Sequence, residues 1–134
     1  MPNKPTIVCL CGSTKFVDLY NEYRKTFTLK GEIVLTIELV LPQSEREDPQ
    51  HSNFEVKKML DELHLRKIDL SDYIFVINKN GYIGESTAHE IAYAQKKGKL
   101  ISFLEPLTPE KQIELANMLI PDEIKSKEMH EMRD

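Results

Sequence analysis

The chain has 134 residues, 40% of them apolar and 30% charged, with 22 acidic against 18 basic side chains and a net charge of −4. These are the values of one ordinary globular domain, long enough to bury a core without disulfides or a structural metal, and the acidic balance argues against general binding to nucleic acid or to an anionic membrane. No apolar run approaches the roughly 20 residues that span a bilayer, and Met1-Pro2-Asn3-Lys4-Pro5 lacks a signal-peptide core, so a cytoplasmic location is expected.

Pro5 to Cys11 is a short apolar run ending at Gly12, the pattern of a buried central strand. Cys9 and Cys11 stand two apart, so both thiols share one face of that strand in a geometry unsuited to a mutual disulfide. They read as reduced core thiols, or as a reactive pair. Gly12-Ser13-Thr14-Lys15 then opens a helix whose Phe16, Leu19, Tyr20, Tyr23 and Phe27 recur at helical spacing, with Gly31 as its stop. Such an entry offers backbone N–H groups, two hydroxyls and an ammonium to an anion. Equally, Ser13 or Thr14 is a plain N-cap with Lys15 in solvent.

Glu32 to Leu41 reads as a second strand ended by Pro42. The polar stretch from 42 to 53 is long for a connection, either a lid or binding loop, with His51 and Asn53 its candidates for ligand contact, or a surface loop. From Phe54 to Leu70 the spacing predicts a helix with an apolar stripe of Val56, Met59, Leu60 and Leu63, while Lys57, Lys58, Asp61 and Glu62 point away. His64 stands at the edge of that stripe, as a satisfied semi-core residue or as a functional imidazole overlooking a crevice. Asp69 and Asp72 flank the next turn, where capping is their simplest role.

A third strand, Tyr73 to Ile77, feeds the glycine-bearing loop around Gly81 and Gly84 and a helix over 86–97 that ends at Gly98. In its first turn, Thr87 and Glu90 fit a capping box. The alternative is a carboxylate kept ionised by the helix N-terminus and aimed at a ligand, where it would attack an electrophilic carbon or stabilise a cation. Leu100 to Leu104 is a fourth strand. Pro106, Thr108 and Pro109 start a last helix containing Ile113, Leu115, Ala116, Met118 and Leu119, and a charged tail follows Pro121.

Strands alternating with helices predict an α/β fold, a doubly wound parallel sheet of the Rossmann or flavodoxin kind with order 2-1-3-4. In that order ligands bind outside the carboxyl ends of strands 1 and 3, so the Cys11–Lys15 loop and the Asn78–Thr87 loop would face one crevice. A single carboxylate there, with hydroxyl and N–H donors beside it, suits substitution at an anomeric carbon. Four scattered histidines and one C-x-C do not make a zinc pattern, and neither a metal nor a cofactor is expected.

The Cys11-Gly12-Ser13 loop, the segment Lys67-Ile68-Asp69-Leu70-Ser71-Asp72, the run from Gly84 through Glu90-Ile91-Ala92-Tyr93-Ala94, and Gly98-Lys99 together resemble the nucleoside 2-deoxyribosyltransferase-like superfamily, which includes deoxynucleoside 5′-monophosphate N-glycosidases. The resemblance covers nearly the whole domain. It implies that Glu90 is the nucleophile taking the glycosyl group at C1′, that Gly12, Ser13 and Lys15 help hold base, sugar or phosphate, and that Ser86 and Thr87 lie near the 5′ group. Where the family carries a catalytic Asp on the helix before strand 3, this chain has His64, an imidazole able to donate a proton to the leaving base. Where some transferases grip the base with an acid, it has Gly84. The implied activity is cleavage or transfer at the N-glycosidic bond of a nucleoside or its 5′-monophosphate, in a homodimer or larger homo-oligomer whose neighbour completes the pocket. The alternative is a non-catalytic nucleotide-binding module of the same fold.

Overall fold

The computed structural model describes residues 4–37 and 53–117. Four parallel strands, β1 (Ile7–Gly12), β2 (Ile33–Leu35), β3 (Tyr73–Ile77) and β4 (Leu100–Phe103), form one sheet in the order β2-β1-β3-β4. The helices are α1 (Val17–Leu29), α2 (Asn53–Leu70), α3 (Glu85–Lys96) and α4 (Pro109–Ala116). This is the doubly wound α/β fold and the strand order expected from the sequence.

The central strand β1 is apolar on both faces because both are covered, and its alternation decides what each face carries. Val8 and Leu10 pack with Tyr20 and Phe27 of α1 and with Phe75 and Ile77 of β3. Cys9 and Cys11 point to the opposite face, into a cluster with Ile68 of α2, Ala88, Ile91 and Ala94 of α3, and Leu115 of α4. Both cysteines are free and fully buried. The pairings Cys9–Ile74, Gly12–Ile77 and Ile74–Ile101 align the strand ends, so the loops leaving β1 and β3 emerge side by side.

Several boundaries differ from expectation, each for a local reason. β2 ends at Leu35, where its partner in β1 is Cys9. The next carbonyl, that of Thr36, instead accepts a hydrogen bond from Lys67 Nζ at 2.7 Å, which ties the chain to α2. Residues 38–41 of the expected strand and His51 lie outside the described residues, as do Met118, Leu119 and the tail, while Asn53 is already the first residue of α2. α1 does not begin at Gly12. A 3-10 turn over Thr14–Phe16 precedes it, with the Ser13 hydroxyl accepting from the Lys15 N–H at 3.2 Å. β4 stops at Phe103, and α4 starts with Thr108 as its cap, the hydroxyl accepting from the Lys111 N–H at 3.1 Å.

Two residues at the strand ends fix the mouth of the fold. Gly12 has φ 149°, and a Cβ there would lie 2.8 Å from the Ile77 carbonyl oxygen, so the close approach of the β1 and β3 ends requires glycine. Its own carbonyl accepts from the buried Tyr20 hydroxyl at 2.8 Å. Asn78 is fully buried and bonds both ways to the Glu105 backbone, each at 2.9 Å, stapling the exit of β3 to that of β4. Asp72 accepts from the Ile7 N–H at 2.7 Å and Asp69 from the Tyr93 hydroxyl at 2.7 Å, so both carboxylates make long-range tertiary contacts in place of the capping and turn-forming roles expected of them. Among the described residues no helix is long and apolar enough to cross a membrane.

Candidate active site

A cavity of about 660 Å³ opens at the carboxyl ends of β1 and β3, within the range typical of small-molecule sites. One wall is the Gly12-Ser13-Thr14 turn, a second is the Gly84–Thr87 start of α3 with Glu90 behind it, and a third is one face of α2 carrying Val56, Leu60 and His64. Five of the six expected binding positions (Gly12, Ser13, Gly84, Ser86 and Thr87) line it, together with Glu90 and His64. Lys15 does not. Its ammonium sits 3.3 Å from the ring centroid of Tyr82, itself a wall residue, so it braces Tyr82 from behind by a cation–π contact instead of facing an anion.

The start of α3 departs from the capping-box reading. Its N-cap is Gly84, in extended conformation and with no side-chain hydrogen bond to the first turn, so the helix begins three residues earlier than a Thr87 cap would require. Thr87 is therefore a buried residue of the first turn, and Glu90 is the sixth residue of the helix, in its second turn. Two consequences follow. The first-turn N–H groups lack a side-chain cap at the cavity wall, an arrangement suited to an anion. Glu90 is also too far along the helix to be kept ionised by its N-terminus, whose influence falls off within a turn.

Burial governs Glu90 instead. Its side chain is 14% exposed, and desolvation pushes the carboxyl up to about 7, against the opposing pull of His64 and Lys57. Its Oε2 is buried without a hydrogen-bond partner among the described residues and lies 3.6 Å from His64 Nε2. His64 is only 4% exposed. Burial alone would hold its imidazole neutral, but a hydrogen bond with Cys9 and the charge of Glu90 outweigh that cost and raise its pKa. The two groups thus titrate as a pair, and the state with imidazolium beside carboxylate is within reach near neutral pH.

Behind this pair stand the cysteines. Cys11 Sγ lies 3.3 Å from His64 Nε2 and Cys9 Sγ 3.9 Å from the same atom. A hydrogen bond from Cys11 and the nearby His64 draw the Cys9 thiol down to about 6 against the cost of burial, while the same bond and burial push Cys11 well up.

Sequence reasoning missed part of α2. Lys57 and Asp61, expected to point away, form a 2.9 Å ion pair on the rim of the cavity. Both are exposed, as charged residues should be, but on the helix face that carries His64; the spacing 57–61 beside 56–60–64 held that signal. Tyr82 was also missed, for a lone tyrosine in a glycine loop has no periodicity to mark it.

Comparison with protein-family models, with curated proteins and with solved structures found no match.

Proposed function

We propose that this protein is an enzyme of the class that places one carboxylate at a nucleotide crevice of a doubly wound sheet. More particularly, it breaks the N-glycosidic bond of a nucleoside or nucleoside 5′-monophosphate, passing the sugar to water or to a second base. The observation that carries the reading is the 3.6 Å approach of His64 to Glu90 at the wall of the cavity.

Glu90 attacks C1′, forming a C1′–O bond as the bond to the base nitrogen breaks. While ionised, Glu90 favours the imidazolium form of His64; once it has become an ester that charge is gone, and His64 becomes a stronger acid at the moment the departing base needs a proton. Water or an incoming base, giving its proton to the now neutral His64, then attacks C1′ and restores the carboxylate. Ser86 and the uncapped N–H groups at the start of α3 suit a 5′-phosphate.

Incubating the protein with a panel of nucleosides, deoxynucleosides and their 5′-monophosphates, and measuring free base by chromatography, tests the reading. Base release from at least one member, absent in Glu90→Gln, is expected. A rise in melting temperature with a panel member but no base release from any would instead favour a binding module of the same fold.

A further inference from the structure

Three heteroatoms converge on one ring nitrogen. His64 Nε2 has Cys11 Sγ at 3.3 Å, Glu90 Oε2 at 3.6 Å and Cys9 Sγ at 3.9 Å. An imidazole carries at most one hydrogen at Nε2, and without it that nitrogen has one lone pair to offer, so it satisfies one of these neighbours as donor or acceptor and leaves the others short of a partner. The buried Glu90 Oε2, without a hydrogen-bond partner, registers that shortage. We propose that Cys9, Cys11 and His64, with Glu90 as fourth ligand, form a tetrahedral site for a thiophilic divalent cation of the Zn²⁺ type.

The dimensions support a metal in place of a hydrogen bond. The donor atoms of Cys9, Cys11 and His64 all lie within 4.8 Å of one another. Zn–S bonds of about 2.3 Å and Zn–N bonds of about 2.0 Å at tetrahedral angles give S···N edges of about 3.5 Å, between the two S···N distances found here. Two thiols and an imidazole are soft to borderline donors, which select zinc-like ions over Mg²⁺ or Ca²⁺. The scaffold is rigid: both sulfurs come from one face of the central strand, the imidazole from α2 and the carboxylate from α3. Entry is through the cavity, which His64 and Glu90 line in front of the fully buried sulfurs. Binding replaces thiol protons by the metal and releases them to solvent, so it is coupled to pH.

The ion would occupy His64 Nε2 and the Glu90 carboxylate. If the glycosidic reading holds, the metal-free protein is the active form and a thiophilic cation silences it; this corollary rests on that reading, and the site itself does not.

The test is anaerobic titration of the full-length, reduced, chelator-stripped protein with Co²⁺. Ligand-field bands of tetrahedral intensity are expected, with a thiolate-to-cobalt charge-transfer band in the near ultraviolet, saturating at one equivalent and bleached by Zn²⁺. The charge-transfer band should fall in Cys9→Ser and Cys11→Ser, whose folding is checked by circular dichroism. Proton release on adding Zn²⁺ to the wild-type protein gives a reading that needs no variant. A weak octahedral spectrum, no thiolate band, or no proton release would overturn the proposal. Cobalt–thiolate bands without base release from any nucleotide would leave the metal site standing and remove the glycosidic reading; base release without those bands would do the reverse.

Discussion

Glu90→Gln is expected to abolish base release, by at least about a thousandfold, and at the same time to make the protein more stable at alkaline pH. Both effects have one cause, a carboxylate placed in a largely desolvated wall. Its folded pKa is raised from 4.5 to about 7 by burial, so the folded state binds the proton more tightly than the unfolded chain does. The sign follows from linkage: the native state bears no penalty below about 4.5, loses stability as pH rises, and carries the whole cost above about 7. The shift corresponds to up to about 3 kcal/mol at pH 8. The neutral amide removes that charge, so the melting temperature of the variant should exceed that of the wild type by several degrees at pH 8, with the gap closing at pH 4. Thermal denaturation of metal-free protein across that range checks it. A variant less stable than the wild type at pH 8 would mean that Glu90 is held as a structural ion-pair partner.

His64→Gln separates a catalytic from a packing role for the second residue. Loss of the imidazole should slow base release by about a hundredfold or more, the usual contribution of a positioned acid. In the wild type, with chelator present, the rate should rise as Glu90 ionises and fall as His64 loses its proton. The groups facing Glu90 are His64 and Asp61 of α2, Lys57 beside them, and Cys9 of β1. Of these, His64 exerts the largest pull toward the ionised form, so in the variant the rising limb should move to higher pH and the falling limb should vanish. A packing role predicts a lower melting temperature with an unchanged pH profile.

The sheet was legible in the sequence because each strand is a short apolar run and each helix carries a stripe of period 3.6, and these alternate along the chain. The order of winding then put Gly12, Ser13, Gly84, Ser86 and Thr87 at one crevice before any coordinate did. What the sequence hid were choices made by tertiary contacts. Thr87 and Glu90 have the spacing of a capping box, yet Gly84 takes the cap because the loop from Asn78, anchored on Glu105, delivers the chain to the helix three residues early. Lys15 had a ligand-like position in the string but found the ring of Tyr82. The meeting of His64 with Cys9 and Cys11 was invisible for a simpler reason: His64 lies more than fifty residues from either cysteine, and no local spacing marks a contact between the face of a strand and a helix three elements later.

The identity of Glu90 as nucleophile is tested most directly by acid-quenching the metal-free protein during turnover of a deoxynucleoside 5′-monophosphate and measuring intact mass. A covalent sugar adduct is expected, mapping after proteolysis to the peptide that contains Glu90 and absent from Glu90→Gln. Release of base with the same rate in Glu90→Gln, or an adduct on any other residue, would contradict the assignment.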